Sequence, residues 1–274
     1  CLLPSSRMVS SSEAYMRKVL AITIAMVPPP DDTAKAENTG CFRFPSRYIL
    51  PATAGAYKEV FMKTFISSLD GAVKKAAAQI KKIVERRSDA VIAVSADPDV
   101  LLLCDELAAM YGRGEISFSK ARFFSLCEFE GNGLCRAELK KRLLDVTDAA
   151  EENCFFLSED DIDSVESRIE ALGGLDLVVL GIGADGRIGF NEPATPFGSR
   201  THVQLLAPAT RRELAPIFGG EDKVPEKGVT MGIKTITLAR EIVLAAFGGE
   251  RAEPVFKMLY GRDDSVVPAA FLQI

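Results

Sequence analysis

The chain has a single histidine, His202, and that scarcity removes whole mechanisms. A zinc centre built on two or three imidazoles is excluded, and a Ser-His-Asp triad would have to form around this one ring. In SRTHVQLL the histidine falls where an alternating strand leaves it at the surface, near a subunit contact. The six cysteines, at positions 1, 41, 104, 127, 135 and 154, include no C-x-x-C pair and no regular spacing. That pattern fits reduced thiols in a cytoplasmic protein better than a disulfide framework or a metal site. No apolar run approaches the ~18 residues needed to cross a bilayer. There is no basic excess either: a net charge of -5 argues against nucleic acid or an anionic membrane as partner. The Lys-Lys pairs at 74-75, 81-82 and 140-141 fall on helices with apolar stripes, so they read as solvated faces. No internal repeat is visible.

What is present suits one large α/β domain. With 274 residues, 47% of them hydrophobic, the chain can bury a single substantial core. Ser68 to Arg86 places Leu69, Ala72, Val73, Ala76, Ile80, Ile83 and Val84 at helical spacing, with Ser68 as N-cap. Strands are expected at Ala90 to Val94, Arg122 to Leu126, Leu175 to Leu180, Val229 to Gly232 and Ile242 to Ala246. Helices are expected at Val100 to Tyr111, Ala137 to Leu144, Asp160 to Ala171, Lys234 to Arg240 and Ala252 to Tyr260. Such alternation predicts a Rossmann-like, doubly wound, mostly parallel sheet with helices on both faces. Residues 1-45 read as a poorly ordered N-terminal extension and 46-274 as the domain. Arg17-Lys18, the apolar stretch Val19 to Val27 and the prolines 28-30 have the outline of a signal segment, but they start well inside the chain and lack a small-residue cleavage site.

The most informative stretch is GLDLVVLGIGADGRIGFNEP, residues 174-193. Its apolar half reads as a buried parallel strand, and ligands in open α/β sheets bind beyond the carboxyl ends of the strands. Gly181, Gly183 and Gly186 satisfy G-x-G-x-x-G literally, yet Gly189, Asn191 and Pro193 follow too soon for the long helix that a dinucleotide site needs. Two readings remain. In one, the glycines let bare backbone approach a small anionic or hydroxylated ligand, with Asp185 and Glu192 projecting beside it. In the other, Asp185 only makes an Asx turn and Glu192 is solvated.

The same string resembles the signature of the glucosamine-6-phosphate deaminase and isomerase family, which runs roughly GxGxDGHIAFNEP. SRTH at 199-202, VPEKGVTMGIKTITLARE at 224-241, GGERA at 248-252 and VPAAFLQ near the end follow in the family's order. ISFSKARFFSLCEFEG, at 116-131, is similar to the segment carrying the family's FNxDEYxG motif. The related phosphogluconolactonases share the GxGxDGH turn without FNEP, so the isomerase branch matches better. Family members continue past the LQ motif, so a last helix is expected beyond the sequence given.

The resemblance implies an enzyme of amino-sugar phosphate metabolism. It would turn glucosamine 6-phosphate, or galactosamine 6-phosphate, into a ketohexose 6-phosphate and ammonia, without cofactor or metal, as a cytoplasmic homo-oligomer. Catalytic roles carry over to Asp185 and Glu192, which match the family's carboxylates. Cys127 stands where the family has its proton-abstracting aspartate, and Arg187 replaces the histidine of DGH. A thiol, with an ordinary pKa of ~8.5, needs a nearby cation to be a base, a part Arg187 could play. Glu128 is the alternative base. Substrate and phosphate contacts carry over to Ser95, Ala96, Gly183, Gly186 and Arg251, the last replacing a lysine. Asp97 takes the place of the glycine-threonine phosphate loop, where it would repel a phosphate unless turned outward. Pro216 stands where the lid has a phosphate-binding arginine. These departures leave an alternative: a degenerate, non-catalytic member that binds a phosphosugar or regulates.

Overall fold

In the computed structural model residues 18–25, 60–261 and 266–273 are described. In chain order the elements are β1 (Lys18–Ala25), β2 (Val60–Ser67), α1 (Leu69–Arg86), β3 (Val91–Val94), α2 (Pro98–Gly112), β4 (Arg122–Ser125), β5 (Cys127–Phe129) and α3 (Leu134–Leu139). They continue with β6 (Cys154–Phe155), α4 (Ile162–Ala171), β7 (Leu177–Leu180), β8 (His202–Leu205), α5 (Pro208–Phe218), β9 (Lys227–Thr230), α6 (Ile233–Thr237), β10 (Glu241–Phe247) and α7 (Ala252–Tyr260). One seven-stranded sheet runs β2-β1-β10-β7-β3-β4-β6, and every ladder in it is parallel.

The central strands are apolar throughout because both faces are covered. Val91, Ala93, Val178, Leu180, Ile242 and Leu244 supply one core, shared with Val165 and Ile169 of α4 and Val255 and Met258 of α7. Their neighbours Ile92, Val94, Leu177, Val179, Val243 and Ala245 supply the other, shared with Ala76 and Ile80 of α1 and Leu103 and Leu107 of α2. The alternation is the period of two that a strand imposes, and each large aliphatic side chain so buried stabilises the fold by about 1.5–3 kcal/mol.

Lys18–Ala25 correct the expectation of an unstructured extension for those residues. They form β1, which pairs with β10 from Val19↔Glu241 to Ala25↔Phe247 and with β2 on its other side. The remainder of the expected extension lies outside the described residues. Further departures concern boundaries. The helix expected at Ala137 to Leu144 begins earlier, at Leu134, and ends in a wider turn over Lys140–Leu144 with i→i+5 bonding. The expected strand Arg122 to Leu126 is interrupted at Leu126. This residue still donates its N–H to Val94 O (2.8 Å) but accepts from Met231 N–H (2.9 Å), and the chain passes into a second, antiparallel sheet, β5-β9-β8. The strand expected at Leu175 starts at Leu177, because Asp176 is used otherwise.

Asp176 pins the amino ends of the central strands. Its buried carboxylate accepts the Val91 N–H (2.9 Å) and pairs with Arg87 (2.7 Å) and Arg240 (2.8 Å). It ties α1, β3, β7 and the entry to β10 together at the end of the sheet opposite the strand termini that carry the candidate site.

Candidate active site

Three adjacent strands, β7, β3 and β4, deliver most of the residues singled out in the sequence to the carboxyl end of the sheet, and Arg251 follows the neighbouring β10. Ser95 to Pro98 leave β3, Gly181 to Glu192 leave β7, and Leu126-Cys127 leave β4. The first two loops are bound to each other. Asp97 is the N-cap of α2, with Pro98 at the first helical position, but its side chain makes no bond to its own helix. The carboxylate instead accepts the Ser95 hydroxyl (2.6 Å) and the Gly181 N–H (3.1 Å). A Cβ on Gly181 would lie 2.9 Å from the Asp97 Cβ, so glycine is needed for this approach. Asp97 therefore turns inward. Ser95 is fully buried beneath it, and donors that could cradle an anion are held by the chain's own carboxylate.

The glycine-rich turn behaves in the same way. Arg187 folds back across Gly183, where a Cβ would fall 2.4 Å from Nη1, and Val267 packs on Gly186, whose φ is +85°. The expectation that Gly183 and Gly186 expose backbone to a ligand is corrected accordingly: their space is filled by Arg187 and Val267. Asp185 does make the Asx turn, accepting the Arg187 N–H (3.1 Å), and it also pairs with the Arg187 guanidinium (3.1 Å).

Glu192 is buried. Its two oxygens accept the Ala207 N–H (3.0 Å) and the Thr210 hydroxyl (3.0 Å) at the start of α5. Burial, aided by the Asp185 charge, raises its pKa above the ordinary carboxylate value, against the lowering effect of those two bonds and of Arg187. It is not the solvated residue of the simpler sequence reading. The preceding Asn191 anchors the loop by donating to Ile188 O (2.8 Å) and Met231 O (2.9 Å).

Cys127 pairs in register with Thr230 and is buried in the first core. The thiol beside it, Cys135, is pushed well above its usual pKa, chiefly by Cys127 and by burial. Arg187 does not take the part of a cation for Cys127, because its guanidinium is committed to Asp185 and to Glu213 (2.7 Å). Glu128 is structural: its carboxylate accepts the N–H groups of Phe129 (2.9 Å), Cys135 (3.0 Å) and Arg136 (2.8 Å), and so caps α3. It is thus removed as the alternative base. Ala96 is half-buried and packs against both cores.

Sequence reasoning passed over Glu213 and Asp99. Glu213, on α5, bridges Arg187 and Arg251 (2.8 Å). Burial opposes its charge, but the two guanidiniums outweigh burial and hold the carboxyl below its usual range. Burial opposes the charge of Arg187 as well, but Glu213, Asp185 and Asp97 outweigh it and raise its pKa. Asp99 accepts the Phe247 N–H (3.0 Å) and lies 3.7 Å from Arg251 Nε. Burial pushes it up to about 6, against that hydrogen bond and the Arg251 charge. No local pattern marks either residue, since their partners stand 26 to 152 positions away.

Asp99 carries a pH-dependent stability term. A carboxyl held at about 6 when folded, against an ordinary 3.8, stabilises the fold fully below about pH 4 and loses that contribution as pH rises through about 6. Asp99→Asn keeps an acceptor for Phe247. We expect it to be more stable than the parent by about 2–3 kcal/mol at pH 8 and equal to it near pH 4, measured by urea unfolding. A variant less stable at pH 8 would mean that the ion pair with Arg251 outweighs desolvation.

Among the described residues no group of three or more His, Cys, Asp or Glu side chains is arranged to hold a metal, and no helix is long and apolar enough to cross a membrane. A cavity of about 270 Å³ lies elsewhere, beyond β6, between Arg136 of α3 and Arg168 of α4.

Fold and site together define a doubly wound α/β protein with a carboxylate-rich centre at the carboxyl ends of its parallel strands, organised around the buried Arg187 and the largely buried Arg251. The profile of the glucosamine-6-phosphate isomerases/6-phosphogluconolactonase family matches residues 67–274, and the chain belongs to that family. It is 37% identical over 206 residues to a glucosamine-6-phosphate deaminase of Beutenbergia cavernae, covering 71% of this chain and 79% of the relative. It is 36% identical to the deaminase of Mycolicibacterium smegmatis, covering 73% and 81%. Among solved structures, a monomeric glucosamine-6-phosphate deaminase superposes with a TM-score of 0.72 at 29% identity, covering 75% of this chain and 90% of that one. A 6-phosphogluconolactonase from Thermotoga maritima, at 17% identity, TM-score 0.57 and coverage of 74% and 89%, shares the fold.

Proposed function

We propose that this protein is an amino-sugar phosphate deaminase/isomerase, which converts glucosamine 6-phosphate or its galacto epimer, with one water, into a ketohexose 6-phosphate and ammonia. One observation carries the reading: in a member of this family, Glu192 is a buried, positioned carboxyl with a raised pKa, electrostatically linked to Asp185 at the strand ends. Such a pair suits ring opening and proton transfer between the carbons of the open chain, because one group can give a proton while the other accepts one. Asp185 and Glu192 are the proposed acid–base residues and Arg251 a proposed phosphate contact. By the resemblance, Cys127 stands at the position of the family's aspartate.

The reading is tested by thermal shift with glucosamine 6-phosphate, galactosamine 6-phosphate, fructose 6-phosphate and 6-phosphogluconate, followed by ammonia release from each amino sugar that binds. Ammonia release supports it. Binding without release selects a phosphosugar-binding or regulatory protein instead.

We also propose a cytoplasmic homo-oligomer. The free cysteines 104, 127, 135 and 154 suit a reducing compartment. On the edge strand β8, Val203 and the 64%-exposed Leu205 face outward, apolar surface of the kind that subunit contacts cover. Light scattering at micromolar concentration is expected to give a mass above that of one chain. A monomeric mass refutes the proposal, and the similar solved structure is itself described as a monomeric deaminase.

A further inference from the structure

Arg187 and Arg251 leave the ends of neighbouring strands, β7 and β10, and converge on one carboxylate. Glu213 gives one oxygen to each guanidinium, at 2.7 and 2.8 Å, and the two arginine side chains are only 8% and 13% exposed. Each guanidinium meets Glu213 through a single Nη1, and two such largely buried groups around one anion suit a tetrahedral oxyanion, because a planar fork can pair with an oxygen edge. The bridge is incomplete as it stands. Arg251 Nε is buried and has no hydrogen-bond partner, with Asp99 too far at 3.7 Å. Glu213 also accepts the Ala184 N–H (3.4 Å), so its two oxygens already serve three donors and neither reaches Arg251 Nε, whereas a phosphate group has a third terminal oxygen to offer it.

Charge decides whether both anions fit. Asp185, Asp97 and Glu192 already act on the Arg187 side of the cluster, and Asp99 and Glu250 on the Arg251 side. A phosphate dianion added to Glu213 would bring two more negative charges into contact with a third. Like charges at such distances in a half-buried site repel strongly. We infer that Glu213 is the internal occupant of a two-arginine anion site, and that the phosphate group of the substrate takes its place, swinging Glu213 and its helix α5 aside. This rests on the reading of the substrate as a phosphorylated sugar. Glu213 is then a specificity-determining residue: it lowers the apparent affinity for any phosphate by the fraction of time it holds the arginines, and an uncharged sugar gains nothing by displacing it.

The experiment is calorimetric titration of the full chain with inorganic phosphate at constant ionic strength. Glu213→Gln and Glu213→Ala are each expected to bind phosphate about tenfold more tightly than the parent, and adding Arg251→Gln to either removes the gain. Hydrogen exchange of the α5 amides in the parent is expected to quicken when phosphate saturates the protein. Unchanged or weaker phosphate binding in a folded Glu213 variant overturns the inference, as does unchanged α5 exchange at saturation. The two readings fail separately. A chain that releases no ammonia from glucosamine 6-phosphate yet gains phosphate affinity on loss of Glu213 keeps the anion site and loses the proposed reaction. Ammonia release with no gain in phosphate affinity does the reverse.

Discussion

Glu192→Gln is expected to slow ammonia release from glucosamine 6-phosphate by about a hundredfold to ten-thousandfold, the range typical of a lost general acid or base. Gln preserves the carbonyl that accepts the Ala207 N–H, and its amide can donate to the Thr210 oxygen, so both contacts of the native carboxylate survive. The variant should therefore fold normally and bind substrate with little change, which puts the loss in kcat rather than KM. A second signature follows from burial. Because the folded pKa of Glu192 is raised, the acid limb of the parent's kcat profile should lie above the range of an ordinary carboxylate if Glu192 acts as base, and it should vanish in the glutamine variant. A loss smaller than about tenfold in a folded protein would assign Glu192 to holding α5 instead of to proton transfer.

The largest expected effect on stability lies at the other end of the sheet. Asp176→Ala removes the acceptor of the buried Val91 N–H and leaves Arg87 and Arg240 without their shared partner. Deleting one member of a buried ion-pair set costs about 3–5 kcal/mol. Here the arginine side chains keep 38% and 41% of their exposure and can recover water, so a loss of about 3 kcal/mol is expected, most of it from the orphaned amide and the unpinned strand ends. Urea unfolding measures it. A loss below about 1 kcal/mol would show that the strand ladders alone hold this edge. Activity of the folded fraction should be unaffected, since the candidate site lies at the carboxyl ends of the same strands.

Local signals carried the centre of the sheet. Leu177–Leu180, Val91–Val94 and Glu241–Phe247 are short apolar runs that only a strand covered on both faces can use, and α1 shows its buried stripe and its Ser68 cap in sequence. What failed was non-local. β1 is made by pairing with residues more than two hundred positions away, and its charged start and the prolines after Ala25 gave it the outline of a detached segment. β5 is three residues long and follows β4 after Leu126 alone, too brief a break for an alternation pattern to register. α5 forms over Pro208–Phe218 with Pro216 in its last turn, a stretch that no expected element covers.

The site was legible as a place more than as a mechanism. The turn after β7 was found because glycines and carboxylates cluster after an apolar run. The glycines nevertheless serve internal packing, at Gly181 for Asp97 and at Gly183 for Arg187. Their conformational freedom has the same sequence signature whether the approaching group is a ligand or a side chain. Glu213 could be seen only once α5 was folded over the two arginines.

The most direct test of the account is the product balance with glucosamine 6-phosphate as sole substrate: ammonium by an enzymatic assay and ketohexose 6-phosphate by phosphorus NMR, for the parent and for Asp185→Asn and Glu192→Gln. The parent is expected to form the two products one for one, and both variants almost none while remaining folded. No ammonium from the parent, under conditions where the sugar phosphate raises its melting temperature, would contradict it.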